Sequence, residues 1–124
     1  MTADPWPTEI RLLDNGQNLR VAFDDGANFT LSAELLRVRS PSAEVQGHSP
    51  ADQKTVGGKR NVTIVSVAPV GNYAVRLGFD DMHATGLYTW RYLRQLGETA
   101  QASFDAYLQE LAAKGLDRDR PGEA

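Results

Sequence analysis

Apolar residues in the first third of the chain recur at every second position: Ile10 and Leu12, then Leu19, Val21 and Phe23, then Phe29 and Leu31. A period of two puts alternate side chains on one face of a pleated strand, so each run predicts a half-buried strand. The breaks hold Asn15-Gly16 and Asp25-Gly26. These residues tolerate the positive φ of tight hairpin turns, which predicts a three-stranded antiparallel meander. Ser32 stands where a side-chain oxygen caps a short helix through Ala33, Glu34, Leu35, Leu36 and Arg37, with Glu34 favourable in the first turn and Pro41 forcing an end nearby.

From Arg39 to Asn61 the periodicity is lost among Ser, Pro, Gly and charged residues. That is longer than the ~12–15 residues usual for a connection without structure of its own, and such loops are functional or mobile. Val62 to Val67 then reads as a buried strand, Pro69-Val70-Gly71-Asn72 as a turn, and Tyr73, Val75, Leu77 and Phe79 as one face of a returning strand. In the last third the period lengthens to about 3.6. Leu87, Trp90 and Leu93 form one helical stripe and Tyr88, Tyr92 and Leu96 an adjoining one, preceded by Thr85-Gly86 and closed by Gly97. A second helix carries Ala100, Phe104, Tyr107, Leu108 and Leu111 on one side and stops at Gly115. Strands grouped first and helices last predict an α+β fold, in which the meander and the hairpin form a sheet packed by a short helix and two C-terminal helices. Residues 1–7 read as an N-terminal arm, 8–115 as a single domain, and 116–124 as a polar, disordered tail.

Composition removes several classes of function. A net charge of −3 over 124 residues offers no basic field for nucleic acid or an anionic membrane, so neither is expected as a partner. The absence of cysteine excludes disulfides, thiolate zinc sites and iron–sulfur ligation. Iron or zinc would have to be held by His, Asp or Glu. The first residues have no basic or apolar signal character, and no run approaches the ~20 apolar residues of a membrane span, so the expected location is the cytoplasm.

Four sets of residues carry candidate chemistry. His48, Asp81 and His83 have the composition of a two-histidine, one-carboxylate metal site. Asp81 and His83, two apart, share a face if extended, although Asp80 and Asp81 also read as a solvated turn in which Asp81 satisfies backbone N–H groups. Ser40 or Ser42 with His48 or His83 has the makings of a nucleophile and base, but no Gly-x-Ser-x-Gly elbow is present, and Ser-Pro-Ser equally ends a helix. Gly57-Gly58-Lys59-Arg60 suggests a phosphate cradle, yet it lacks the first glycine and the final Ser/Thr of a nucleotide-binding loop and precedes a strand. Tyr88, Trp90 and Tyr92 read either as a ligand pocket or as core, and Trp6 as a pin for the N-terminal arm.

Three segments taken in order, Leu36 to His48, Val67 to Val75 and Gly78 to Trp90, resemble the N-terminal domain of gamma-butyrobetaine hydroxylase and its relatives, a domain of unknown function. The likeness runs from about Ile10 to Gly97. It implies a structural zinc held by Cys-x-Cys-x-x-Cys and a later histidine, at positions where this chain has Ser40, Ser42, Val45 and His83. It also implies that oxygenase chemistry belongs to a separate, larger domain, so this chain is expected not to be an enzyme. Similar domains are fused to P-loop ATPases that carry iron–sulfur clusters, which implies a protein partner of that kind or another metalloprotein. The resulting expectation is a non-catalytic accessory or interaction domain, with Ser40, Ser42, His48, Lys59, Arg60, Asp81 and His83 on the interaction surface. The alternative is an iron- or zinc-binding domain using His48, Asp81 and His83.

Overall fold

The computed structural model describes residues 6–41, 55–84 and 86–119. Ser42 and His48, like Val45, lie outside the described residues. The meander forms as expected: β1 (Pro7–Leu13), β2 (Asn18–Phe23) and β3 (Asn28–Ser32) make an antiparallel sheet in that order. Its inward positions are Leu19, Val21, Phe23 and Leu31, all buried. Asn15 and Gly16 occupy the left-handed region at φ 57° and 88°. Gly16 admits no side chain, because a Cβ there would collide with the carbonyl oxygen of Ile64.

Helix α1 (Ala33–Val38) begins where the capping pattern places it, with the Ser32 hydroxyl accepting from Leu35 N at 3.0 Å. The second hairpin is β4 (Ile64–Val70) and β5 (Ala74–Phe79). It gains a third strand, β6 (Leu87–Thr89), on the free edge of β5. The fold is therefore α+β with two three-stranded antiparallel sheets, where the sequence suggested one. The stripe Leu87-Trp90-Leu93 mimics a helical period, but Thr89 keeps extended φ/ψ and caps the helix through Tyr92 N. Helix α2 (Trp90–Glu98) consequently starts three residues later than the periodicity implies, and Thr99 joins it to α3 (Ala100–Ala113).

One apolar cluster joins both sheets to α1 and α2, through Leu19, Val21, Leu31, Leu35, Leu36, Leu77, Tyr88 and Leu93 among others. Burying each such side chain contributes about 1.5–3 kcal/mol. A smaller cluster of Val38, Tyr107 and Leu111 ties α1 to α3. The Trp6 ring meets Trp90, the first residue of α2, edge-on at 6.4 Å. The expected polar tail is corrected for its first four residues. Leu116 packs on the Val38 cluster, and Arg118 forks onto Glu34 at 2.6 and 2.7 Å. Charge made this stretch look solvated, but a buried acid on α1 supplies its counter-charge.

Candidate functional site

The C-terminal end of α1 and the turn after β5 meet at a polar seam. A short helix leaves its last carbonyls without helical partners. Here two tyrosine hydroxyls take them: Tyr88 donates to Leu36 O and Tyr92 to Arg39 O. Tyr88 is wholly buried, and Tyr88 and Tyr92 serve packing and capping. Burial raises the pKa values of both phenols, keeping them protonated as donors.

Beyond the helix the chain turns inward at Ser40, which is 0% exposed. Its Oγ stands 3.0 Å from His83 Nε2. His83 is 7% exposed and reaches that point from a tight turn, in which Phe79 N donates to His83 O and Met82 N to Phe79 O. Gly86 makes the approach feasible, since a Cβ there would lie 2.5 Å from Ser40 Oγ and 3.0 Å from the Tyr88 ring.

Asp81 holds this turn to the rest of the molecule. Its Oδ1 accepts from His83 N at 3.1 Å, while Oδ2 accepts from Lys59 Nζ at 2.6 Å and Arg37 Nε at 2.7 Å. Burial alone would raise its pKa. The bonds from Lys59, the His83 amide and Arg37 outweigh that and hold it down to about 2. One carboxylate thus links α1, the segment before β4 and the turn after β5. Among the described residues the buried Arg37 Nη1 has no hydrogen-bond partner. Arg39 forks onto Glu110 at 3.2 and 2.9 Å, which fixes the end of α1 to α3.

At the tip of this braced turn, Met82 is 91% exposed and sits at φ 74°. A left-handed conformation is costly for an L-residue with a Cβ, and water is a poor environment for an apolar side chain. Neither cost has a visible return within the described chain.

Of the predicted positions, Ser40, Lys59, Asp81 and His83 come together, whereas Arg60 pairs with Asp119 at the exposed surface. The Gly57–Arg60 stretch does not form an open phosphate cradle. Its Gly58 and Arg60 amides donate to Asp117 O and Arg118 O, and its cations face Asp81 and Asp119. Beside it lies a polar cleft of about 230 Å³, whose walls include Lys59, Asn61, Asp80, Asp81 and Arg118. Glu34 has no prominence in the sequence, where it reads as a helix-start residue, but it is 5% exposed and clasped by Arg118. An acid inside the apolar stretch Ala33 to Leu36 was the available signal.

Two chemical readings can be tested against these distances. Ser40 and His83 have the separation of a nucleophile and its base. Ser40 is wholly buried and a Cβ on Gly86 would collide with its Oγ, so the hydroxyl is packed inside and not presented at the surface. The thiolate zinc site of the resemblance does not fit either. Sulfur and nitrogen ligands on tetrahedral zinc would stand roughly 3.5 Å apart around the ion. Ser40 and His83 are in direct hydrogen-bonding contact at 3.0 Å, and the chain holds no cysteine. Among the described residues no three His, Asp or Glu side chains gather as a metal set.

Residues 10–94 match the family described as gamma-butyrobetaine hydroxylase-like, N-terminal. A protein solved in solution by NMR is 42% identical, with a TM-score of 0.82 over 98% of this chain and 95% of that one. A second NMR structure is 43% identical, with a TM-score of 0.80 over 100% and 95%. A crystal structure of a protein with unknown function from Acidithiobacillus ferrooxidans, of the DUF971 family, is 43% identical, with a TM-score of 0.61 over 73% of this chain and 91% of that one. No curated protein matches the chain. Among the described residues no helix is long and apolar enough to cross a membrane.

Proposed function

The chain belongs to the gamma-butyrobetaine hydroxylase-like N-terminal family, also described as DUF971, and from that premise we propose that it is a non-catalytic accessory module that docks a protein partner. The docking face is the Asp80–Ala84 turn with the Thr55–Asn61 segment beside it. Met82 carries this reading. It is an apolar side chain, 91% exposed, in a strained backbone conformation, on a turn that Asp81 braces from three directions. Strain of about 1–3 kcal/mol is retained where function uses it, and an exposed flexible thioether is a versatile apolar anchor.

The family likeness makes an iron–sulfur carrier ATPase or another metalloprotein the first partner class to test, in the cytoplasm. A metal-binding role through His48, Asp81 and His83 has less support, since Asp81 would have to give up both cations to reach a metal. The test compares affinity capture by the wild-type protein and by Met82→Asp, each first shown to keep its amide spectrum. The reading expects a metalloprotein recovered by wild type and lost with Met82→Asp. Recovery of the same proteins at the same yield by both would overturn it.

A further inference from the structure

The four residues after Gly115 sit on the body as a bound peptide would. Leu116 packs against the cluster of Val38, Tyr107 and Leu111, on which Val56 and Phe104 also lie. Two residues on, Arg118 forks onto the buried Glu34 at 2.6 and 2.7 Å and lies over the Phe104 ring at 5.0 Å. Between and beyond them, Asp117 and Asp119 are exposed. The main chain is read as well. Gly58 N donates to Asp117 O at 2.9 Å and Arg60 N to Arg118 O at 3.0 Å, while Arg60 pairs with Asp119. The segment bends at Arg118, where Asp119 N donates to Asp117 Oδ1 at 2.8 Å, and side chains seated inward with main-chain carbonyls held by the host are features of peptide recognition, in which the backbone supplies affinity and the pockets supply specificity.

The joint that leads into this strap is held by main-chain bonds to the helix end, from Gly115 N to Ala112 O and Leu116 N to Leu111 O. Gly115 is exposed at φ 68°, and nothing lies within 4 Å of where its Cβ would stand. At the other end of the recognition sits Glu34, a carboxylate only 5% exposed, which an arginine fork satisfies geometrically as well as electrically. A groove with an apolar pocket, a donor edge and a buried acid at fixed spacing is complementary to one sequence pattern, leucine, any residue, arginine, then an acid.

We propose that this groove is a peptide-docking site, that the chain's own Leu116–Asp119 segment fills it in cis, and that a partner segment of the same Leu-x-Arg-acid pattern takes its place in the same bent form. The proposal does not depend on Met82. Displacement conserves every recognition element, because the incoming arginine replaces Arg118 on Glu34 and no buried charge is left unpaired. A tethered strap acts at an effective concentration in the millimolar range, so competition in trans is weak until the strap is loosened.

The probe is a synthetic peptide, acetylated and amidated, with the sequence Gly-Leu-Asp-Arg-Asp, titrated into the full chain and into its Arg118→Ala variant. The variant is expected to bind it at least about tenfold more tightly than wild type. Amide shifts should centre on Gly58, Arg60 and Tyr107, and replacing the peptide's Leu or Arg with Ala should remove them. A folded Arg118→Ala protein that ignores the peptide, or equal binding by both proteins at other amides, would overturn the proposal. Hydrogen exchange on wild type decides the matter if the variant does not fold. The Gly58 and Arg60 amides should exchange by local opening, roughly a hundredfold faster than Val21. Exchange of all of them only through global unfolding would count against a displaceable strap.

Discussion

The apolar core and the polar seam beside it hold the same elements together by different means. In the core, Leu19, Val21, Leu36, Leu77 and Leu93 are fully or almost fully buried, and their contribution is diffuse, non-directional and insensitive to pH. In the seam, a few directed contacts converge on Asp81 and on the Ser40–His83 pair, and each depends on charge and geometry. The core makes the two sheets and α1 one body. The seam determines the conformation in which the turn bearing Met82 is displayed. A substitution in the core should therefore change stability alone, while one in the seam should change how the turn is presented and how stability depends on pH.

The largest effect should come from the core. Leu77→Ala is expected to cost about 2–5 kcal/mol in denaturant unfolding, with no change in pH dependence. Asp81→Asn should cost about 2 kcal/mol at neutral pH, because Arg37 and Lys59 lose their shared counter-charge where both are largely buried. Its pH signature distinguishes it. The folded-state pKa of Asp81 is about 2 against an ordinary 3.8, so its contribution is present above about pH 4 and is lost as pH falls toward 2. Wild type and Asp81→Asn should therefore converge in stability across that window, whereas Leu77→Ala should stay offset from wild type.

Smaller effects sharpen the contrast. Ser40→Ala removes the hydroxyl that meets His83 Nε2 inside the protein and should cost about 1–2 kcal/mol, with amide shifts concentrated in the Asp80–Ala84 turn. Met82→Gly should go the other way. It relieves the left-handed strain at φ 74° and is expected to stabilise by about 0.5–1 kcal/mol while weakening partner capture. A gain in stability with a loss of binding is the signature of a residue kept for docking.

The division between core and seam also sets what was legible in the sequence. Period-two runs and Asn-Gly or Asp-Gly breaks placed the meander, and Ser32 placed α1, because these signals are local. The start of α2 was misplaced since Leu87, Trp90 and Leu93 satisfy a helical period, while the deciding contact is the Thr89 hydroxyl on Tyr92 N. The third strand of the second sheet was hidden for the same reason. Ser40, Asp81 and His83 were recognisable as unusual, but the meeting of Ser40 with His83 spans 43 positions and that of Arg37 with Asp81 spans 44. The strap is not legible in the sequence because Leu116-Asp117-Arg118-Asp119 is polar by composition. Its partner Glu34, 84 positions away from Arg118, looked like an ordinary helix-start acid.

Direct hydrogen bonding joins Ser40 and His83, two of the positions where the family likeness implies a zinc site, and we propose that the chain folds and displays its turn without metal. The most direct measurement is thermal unfolding and an amide spectrum of the chelator-treated full chain, repeated with one equivalent of zinc(II) and of iron(II). A dispersed spectrum and an unchanged Tm are expected in all three samples, with the His83 and Asp81 amides unmoved. Stoichiometric binding that raises Tm and shifts those amides would contradict it.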